Sequence, residues 1–226
     1  MAGVQTAEVV LRLLEEEASA TTRARLVRLA GQLGSSSLDA ARWRLADPRW
    51  YVVRNACNIL GVLGDPDLAP QLEPALRHPD TRVQQAAVAA LAKSKVPGRW
   101  ESLAKALPFL QPHLQETVLD ELILAREPAT VPHLAEFVLR RSKTRPGLLE
   151  KALQILAGIP DERVVTALGN VLCDTDQSIS LRRTAMASLK KSRFPSARQK
   201  LADFARLLPH DPLAGEEQGT AGPKAE

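Results

Sequence analysis

The chain has 226 residues, 45% hydrophobic and 25% charged, which is enough apolar material for a sizeable core without disulfides or a structural metal. Its two cysteines, Cys57 and Cys173, are far apart and in no CxxC, which excludes a disulfide framework or zinc site and fits two small buried hydrophobes in a reducing compartment. The net charge of +4 is uneven: residues 1–139 hold 15 Lys/Arg and 16 Asp/Glu, residues 140–206 hold 14 and 6, and residues 207–226 hold 1 and 4.

Apolar spacing predicts helices at 4–17, 21–33, 37–46, 50–63, 67–77, 81–94, 99–109, 112–125, 129–141, 146–158, 162–173, 178–191 and 196–207. The first meets Glu15, Glu16 and Glu17, read as a solvated helix face. It lacks the basic start of a secretory signal. No stretch approaches the roughly 20 apolar residues of a membrane span, so a cytoplasmic protein with no membrane partner is expected.

From residue 50 onward one triplet recurs, with apolar or small residues at positions 0, 4 and 8. It reads Val52/Ala56/Leu60, Val83/Ala87/Leu91, Leu114/Val118/Leu122, Leu148/Ala152/Leu156 and Leu181/Ala185/Leu189, and successive first members lie 31, 31, 34 and 33 residues apart. These positions form one stripe at 3.6 residues per turn, and a period of this size marks a stacked repeat array. Each triplet helix (B) follows another apolar-periodic helix (A), and Asp or Pro stands where the two join, as in Asp47-Pro48, Pro79-Asp80, Gln111-Pro112, Pro146-Gly147 and Asp174-Thr175-Asp176. Gly64-Asp65-Pro66, Pro97-Gly98, Glu127-Pro128 and Pro160-Asp161 separate one pair from the next. The expected fold is all-α, a solenoid of about six stacked antiparallel helix pairs with 12–13 helices. The expected domain runs from 1 to 208, with 1–34 as an atypical N-terminal capping repeat and 194–208 as a C-terminal capping helix. Residues 209–226, with no periodicity, are expected to be disordered.

The joint Leu63-Gly64-Asp65-Pro66-Asp67-Leu68-Ala69-Pro70-Gln71-Leu72, the starts Asp47-Pro48…Val52…Ala56…Leu60-Gly61 and Pro79-Asp80…Val83…Ala87…Leu91, and the segments around Pro128 and Pro160 resemble short HEAT-type repeats of the phycobilisome-lyase kind over residues 35–207. The resemblance implies an α-solenoid with B helices on its concave face. It also implies an Arg after the branched residue, forming a ladder of bonds between repeats. Here only Arg182 fills that position; Val53, Gln84, Gln115 and Leu149 occupy the others, so apolar packing is expected to do more. Proteins with such repeats include bilin lyase subunits, an iron-dependent hydroxylase, DNA glycosylases and partner-binding scaffolds.

Chemistry has little support in the residues. His78, His113, His133 and His210 lack ligand spacing and are not followed by Glu, and neither a nucleophile elbow nor a phosphate-cradling loop is present, so no catalytic, metal or cofactor residue is assigned. Opposite the buried stripe, the B helices carry Arg54, Asn58, Gln85, Glu116, Asp120, Glu150, Gln154 and Arg183. This mixed-sign row, with Trp50 and Tyr51 as aromatic anchors, is the expected docking surface of a non-enzymatic protein-interaction scaffold. A bilin lyase-type enzyme subunit is one alternative. Nucleic-acid binding through Arg140, Arg141, Lys143, Arg145, Lys190 and Lys191 is another, although an acidic middle in the row counts against a duplex groove.

Overall fold

The computed structural model describes residues 2–140 and 145–215, residue 2 in its backbone alone. Thirteen α-helices appear among them: α1 (Ala2–Glu16), α2 (Ala20–Gln32), α3 (Ser35–Arg44), α4 (Trp50–Leu63), α5 (Leu68–Leu76), α6 (Thr81–Lys93), α7 (Arg99–Ala106), α8 (Pro112–Ala125), α9 (Val131–Leu139), α10 (Pro146–Ala157), α11 (Arg163–Cys173), α12 (Ile179–Lys190) and α13 (Ser196–Leu207). The all-α expectation holds, and the two largest shortenings of a helix lie beside prolines. Pro108 and Pro128 fall in single 3-10 turns at 107–109 and 128–130, where a missing N–H costs least.

The contacts gather into two compact units, residues 1–121 and 122–226, with α8 running across the division. In the first unit α3 packs on α4 and α5 on α6 as A–B pairs, while α4 on α6 and α5 on α7 stack like on like. The first pair follows the same rule, α1 against α3 and α2 against α4, so α2 takes the place of a B helix. In the second unit α9 pairs with α10 and α11 with α12. Helix α10 stacks on α12, and α13 lies against α11 as a further A helix.

All fifteen triplet residues are buried, none above 7% exposure, which shows the stripe to be the packing face. Helices α4 and α6 approach closely at Gly61. A Cβ built there would lie 2.7 Å from the Ala90 Cβ and 3.0 Å from its Cα, so α4 and α6 meet nearly backbone to backbone. Gly61→Val is therefore expected to force these helices apart at a cost of about 1–3 kcal/mol, read as a lower denaturant midpoint. Gly64 closes α4 in the left-handed conformation (φ 68°), a geometry that disfavours every side chain.

The absent arginine ladder is replaced by two devices. The first uses the position after the branched residue. There the buried Gln84 donates from Nε2 to His78 O (3.0 Å) and to Phe109 O (3.1 Å), while its Oε1 accepts from Gln111 N (3.2 Å). Gln115 Nε2 donates to Leu107 O at 2.9 Å, and Arg182 Nε to Leu172 O at 2.9 Å. Gln84 thus ties its own A–B turn to the turn of the following repeat. Polar bonding, and not apolar packing alone, fills the place of the ladder.

The second device is an Asp-x-Arg clasp at 47–49, 80–82 and 161–163. In each, the Asp accepts the Arg backbone N–H (2.8, 2.9 and 2.8 Å) and chelates its guanidinium, with Nη2 contacts of 2.8, 2.7 and 2.7 Å. The partner Arg holds each carboxyl below the usual range, Asp80 at about 2. Each clasped Arg then reaches a neighbour: Arg49 to Glu15 (3.0 Å), Arg82 to the ring of Trp50, and Arg163 to Pro128 O (3.0 Å).

Three sequence expectations need correction. Glu15 is not solvated: it is largely buried and pairs with Arg44 (2.8 Å) as well as Arg49, because α1 stacks on the first canonical pair instead of ending the array with a bare polar face. Cys173 is exposed, while Cys57 is fully buried. The order expected to end at 208 continues to 215. Leu213 is fully buried, Ala214 nearly so, and Asp211 Oδ2 accepts from Arg182 Nη2 at 2.6 Å. This stretch is too short for helical periodicity, yet it supplies the counter-charge for a buried guanidinium. Residues 216–226 of the expected disordered tail lie outside the described residues.

Candidate functional site

The B-helix row faces away from the triplet stripe in both units. In the first unit Arg54 and Asn58 are half-buried, and Gln85, Glu116 and Asp120 are exposed. In the second, Glu150 is half-buried and accepts from the Ser180 hydroxyl at 2.8 Å, while Gln154 and Arg183 are exposed.

Arg54 and Asn58 stand in a cleft of about 530 Å³ between α2, α4 and α6, lined also by Ala20, Arg23, Ala24, Val27, Arg28, Asn55, Gly61, Val62, Ala89, Ala90 and Lys93. Gln85, Glu116 and Asp120 are not part of that lining. The Arg54 fork bonds the side-chain oxygen of Asn55 (2.8 and 3.2 Å), and Asn55 in turn donates to Leu14 O at 3.3 Å. Burial, and after it the positive charges of Arg23 and Arg82, lower the Arg54 pKa. Sequence reasoning missed Arg23, Arg28 and Lys93. The first two lie on α2, which carries no triplet; Lys93 lies two residues beyond the last triplet position of α6.

Trp50 and Tyr51 are half-buried and already engaged. Their rings meet edge to face at 5.8 Å, and the guanidinium groups of Arg82 and Arg54 lie 3.3 and 5.1 Å from the Trp50 centroid. Trp50 thus helps join α4 to the start of α6, and the most exposed aromatic side chain among the described residues is Trp43, at 82%. In the second unit Gln154 and Arg183 line a polar hollow of about 350 Å³ with Ser180, Thr184, Ser188 and Lys191.

The basic residues of the C-terminal third divide. Arg140 bonds Glu136 at 2.7 Å, Arg145 precedes α10, and Lys190 and Lys191 are exposed where α12 ends. Arg141 and Lys143 lie outside the described residues. No three His, Cys, Asp or Glu side chains among the described residues gather as metal ligands, and no described helix is long and apolar enough to cross a membrane.

A family model described as HEAT repeats matches residues 7–92 and 38–129, more than half of the chain. The chain belongs to the HEAT-repeat family. The match begins in α1, which agrees with the regular stacking of the first pair. HEAT repeats commonly serve as protein-interaction scaffolds and are usually non-enzymatic. No curated protein matches the chain. Among solved structures, an engineered protein is similar at 17% identity and a TM-score of 0.32, over 94% of this chain and 93% of that one.

Proposed function

We propose that this HEAT-repeat protein is a non-enzymatic interaction module that docks another protein on the exposed faces of its B helices. The observation that supports it most is the two-sidedness of those helices. Each buries its triplet in the core and leaves polar side chains facing outward, and across the set these carry both signs. A row of this kind sets register and rejects wrong partners, because like charges placed opposite each other cost several kcal/mol.

The test is affinity capture from native cell extract, with the chain as bait. Glu116→Arg combined with Asp120→Arg reverses two exposed charges on α8 without touching its buried residues. The variant is expected to keep its helical circular dichroism and lose the partner by more than about tenfold. Undiminished capture by the folded variant would remove the row as the docking surface.

A further inference from the structure

Five cations of the first unit form ion pairs, most of them where helices meet. Arg42 bonds Asp65, Arg44 bonds Glu8 and Glu15, Arg49 bonds Asp47 and Glu15, Arg82 bonds Asp80, and Lys105 bonds Glu73. The α2–α4–α6 cleft instead gathers unpaired cations around one hollow. It holds Arg23, Arg28, Arg54 and Lys93, its lining contains no Asp or Glu, and among the described residues none of the four cations has a carboxylate within ion-pair distance. The Arg23 fork is turned instead to the carbonyls of Glu17 and Ala18, and the Arg54 fork to an amide oxygen. Four positive charges around one hollow repel each other, and an anionic occupant relieves that repulsion.

The rest of the lining says what kind of anion. Between the cations lie Ala24, Val27, Val62, Ala89 and Ala90, and Val62 is 55% exposed. An apolar surface inside a basic rim suits a side chain with carboxylates on either side of it; a bare phosphate would leave that surface uncovered. A single-stranded nucleic acid would call for aromatic rings on which to stack, and the lining has none. The volume, about 530 Å³, is in the range of pockets that enclose a few side chains.

We propose, building on the protein-docking reading, that this cleft receives an acidic peptide segment of the partner, with an apolar side chain seated on Val62 and carboxylates on Arg28, Arg54 and Lys93. The segment lies across α4, and its charges complete the ion pairs that the cleft lacks.

The test measures fluorescence anisotropy of a labelled short peptide of Glu and Asp with one central Leu, added to the full chain. Binding is expected, weakening at least tenfold as salt rises from about 0.05 M to about 0.5 M. Arg28→Glu with Lys93→Glu, both exposed, is expected to weaken it by more than about tenfold, whereas Arg25→Glu, exposed on α2 but outside the lining, leaves it unchanged. Replacing the central Leu by Ser, or Val62 by Glu, is expected to cost about tenfold as well. The proposal is overturned if the peptide does not bind, if the Arg28/Lys93 variant binds it as well as the parent, if loss of the Leu has no effect, or if a labelled short oligothymidylate binds more tightly than the peptide. Capture through Glu116 and Asp120 is read separately, so loss of peptide binding with that capture intact would sink the cleft proposal alone.

Discussion

Asp211→Ala is expected to destabilise the second unit by about 3–5 kcal/mol, the largest effect of any single polar substitution described above. Asp211 and Arg182 meet at 2.6 Å with side-chain exposures of 7% and 6%. The second nitrogen contact of Arg182, Nε to Leu172 O, neutralises none of its charge. Removing the carboxylate leaves a buried guanidinium with no counter-ion, and the penalty is the desolvation of that charge. The pair itself adds little, so the double replacement Asp211→Leu with Arg182→Leu is expected to recover most of the loss. Acid should act in the same direction as the alanine. Burial raises the Asp211 pKa, but the Leu213 N–H and the Arg182 guanidinium outweigh it and hold the value below the usual range. A carboxyl whose pKa is lower folded than unfolded stabilises the fold above the unfolded value, about 3.9, and loses that stabilisation as pH falls through the folded value. The parent's stability to urea is therefore expected to fall below about pH 4, and Asp211→Ala should lack only Asp211's share of that loss, because Asp47, Asp80 and Asp161 keep theirs. A flat response in the parent, or an alanine variant as stable as the parent, would mean that residues 209–215 do not hold the last helices.

That segment shows where the sequence was legible and where it was not. The triplet stripe, the A–B alternation and nearly every helix bound follow from 3.6-residue periodicity, because burial of one face is a property of a single helix and is written along it. Bonds between repeats are not written that way. Gln84 was visible only as a departure from an arginine ladder, and two of its three partners, Phe109 and Gln111, become neighbours only after two repeats have stacked. The Asp-x-Arg clasp could have been found, since 47–49, 80–82 and 161–163 repeat the same spacing. In these clasps the arginine precedes the branched position, whereas the arginine of the ladder follows it. The row residues Arg54 and Asn58 were legible as outward-facing, but their cleft was not. Two of its cations come from α2, where no triplet marks the helix as a stacking neighbour of α4. Leu213 lay beyond any periodic run; its N–H donates to Asp211, whose other oxygen pairs with the buried Arg182, and the side chain itself is fully buried.

Gln84→Leu provides the second large effect and tests whether polar bonds do the work of the missing ladder. The side chain is 3% exposed, so the leucine gains no burial that the glutamine lacked, and the volumes are similar. What changes is bonding. The carbonyl of His78 loses a donor at the turn before α6, and at the turn before α8 the carbonyl of Phe109 loses a donor and the N–H of Gln111 its acceptor. An unsatisfied buried group costs about 1–3 kcal/mol, and water reaches part of this turn because Gln111 is exposed, so a total near 3 kcal/mol is expected. The location of the damage is as informative as its size. Amide exchange should accelerate in α7 and at the start of α8, where the clamp holds the following repeat, and much less in α3 and α4 on the other side of α6. Gln115→Leu offers the comparison: its single bond to Leu107 O lies within its own helix pair, so it is expected to cost about 1 kcal/mol and to leave exchange in the neighbouring repeats unchanged. Equal losses for the two variants would show that the position matters through burial alone, and that repeats here are joined by apolar packing after all.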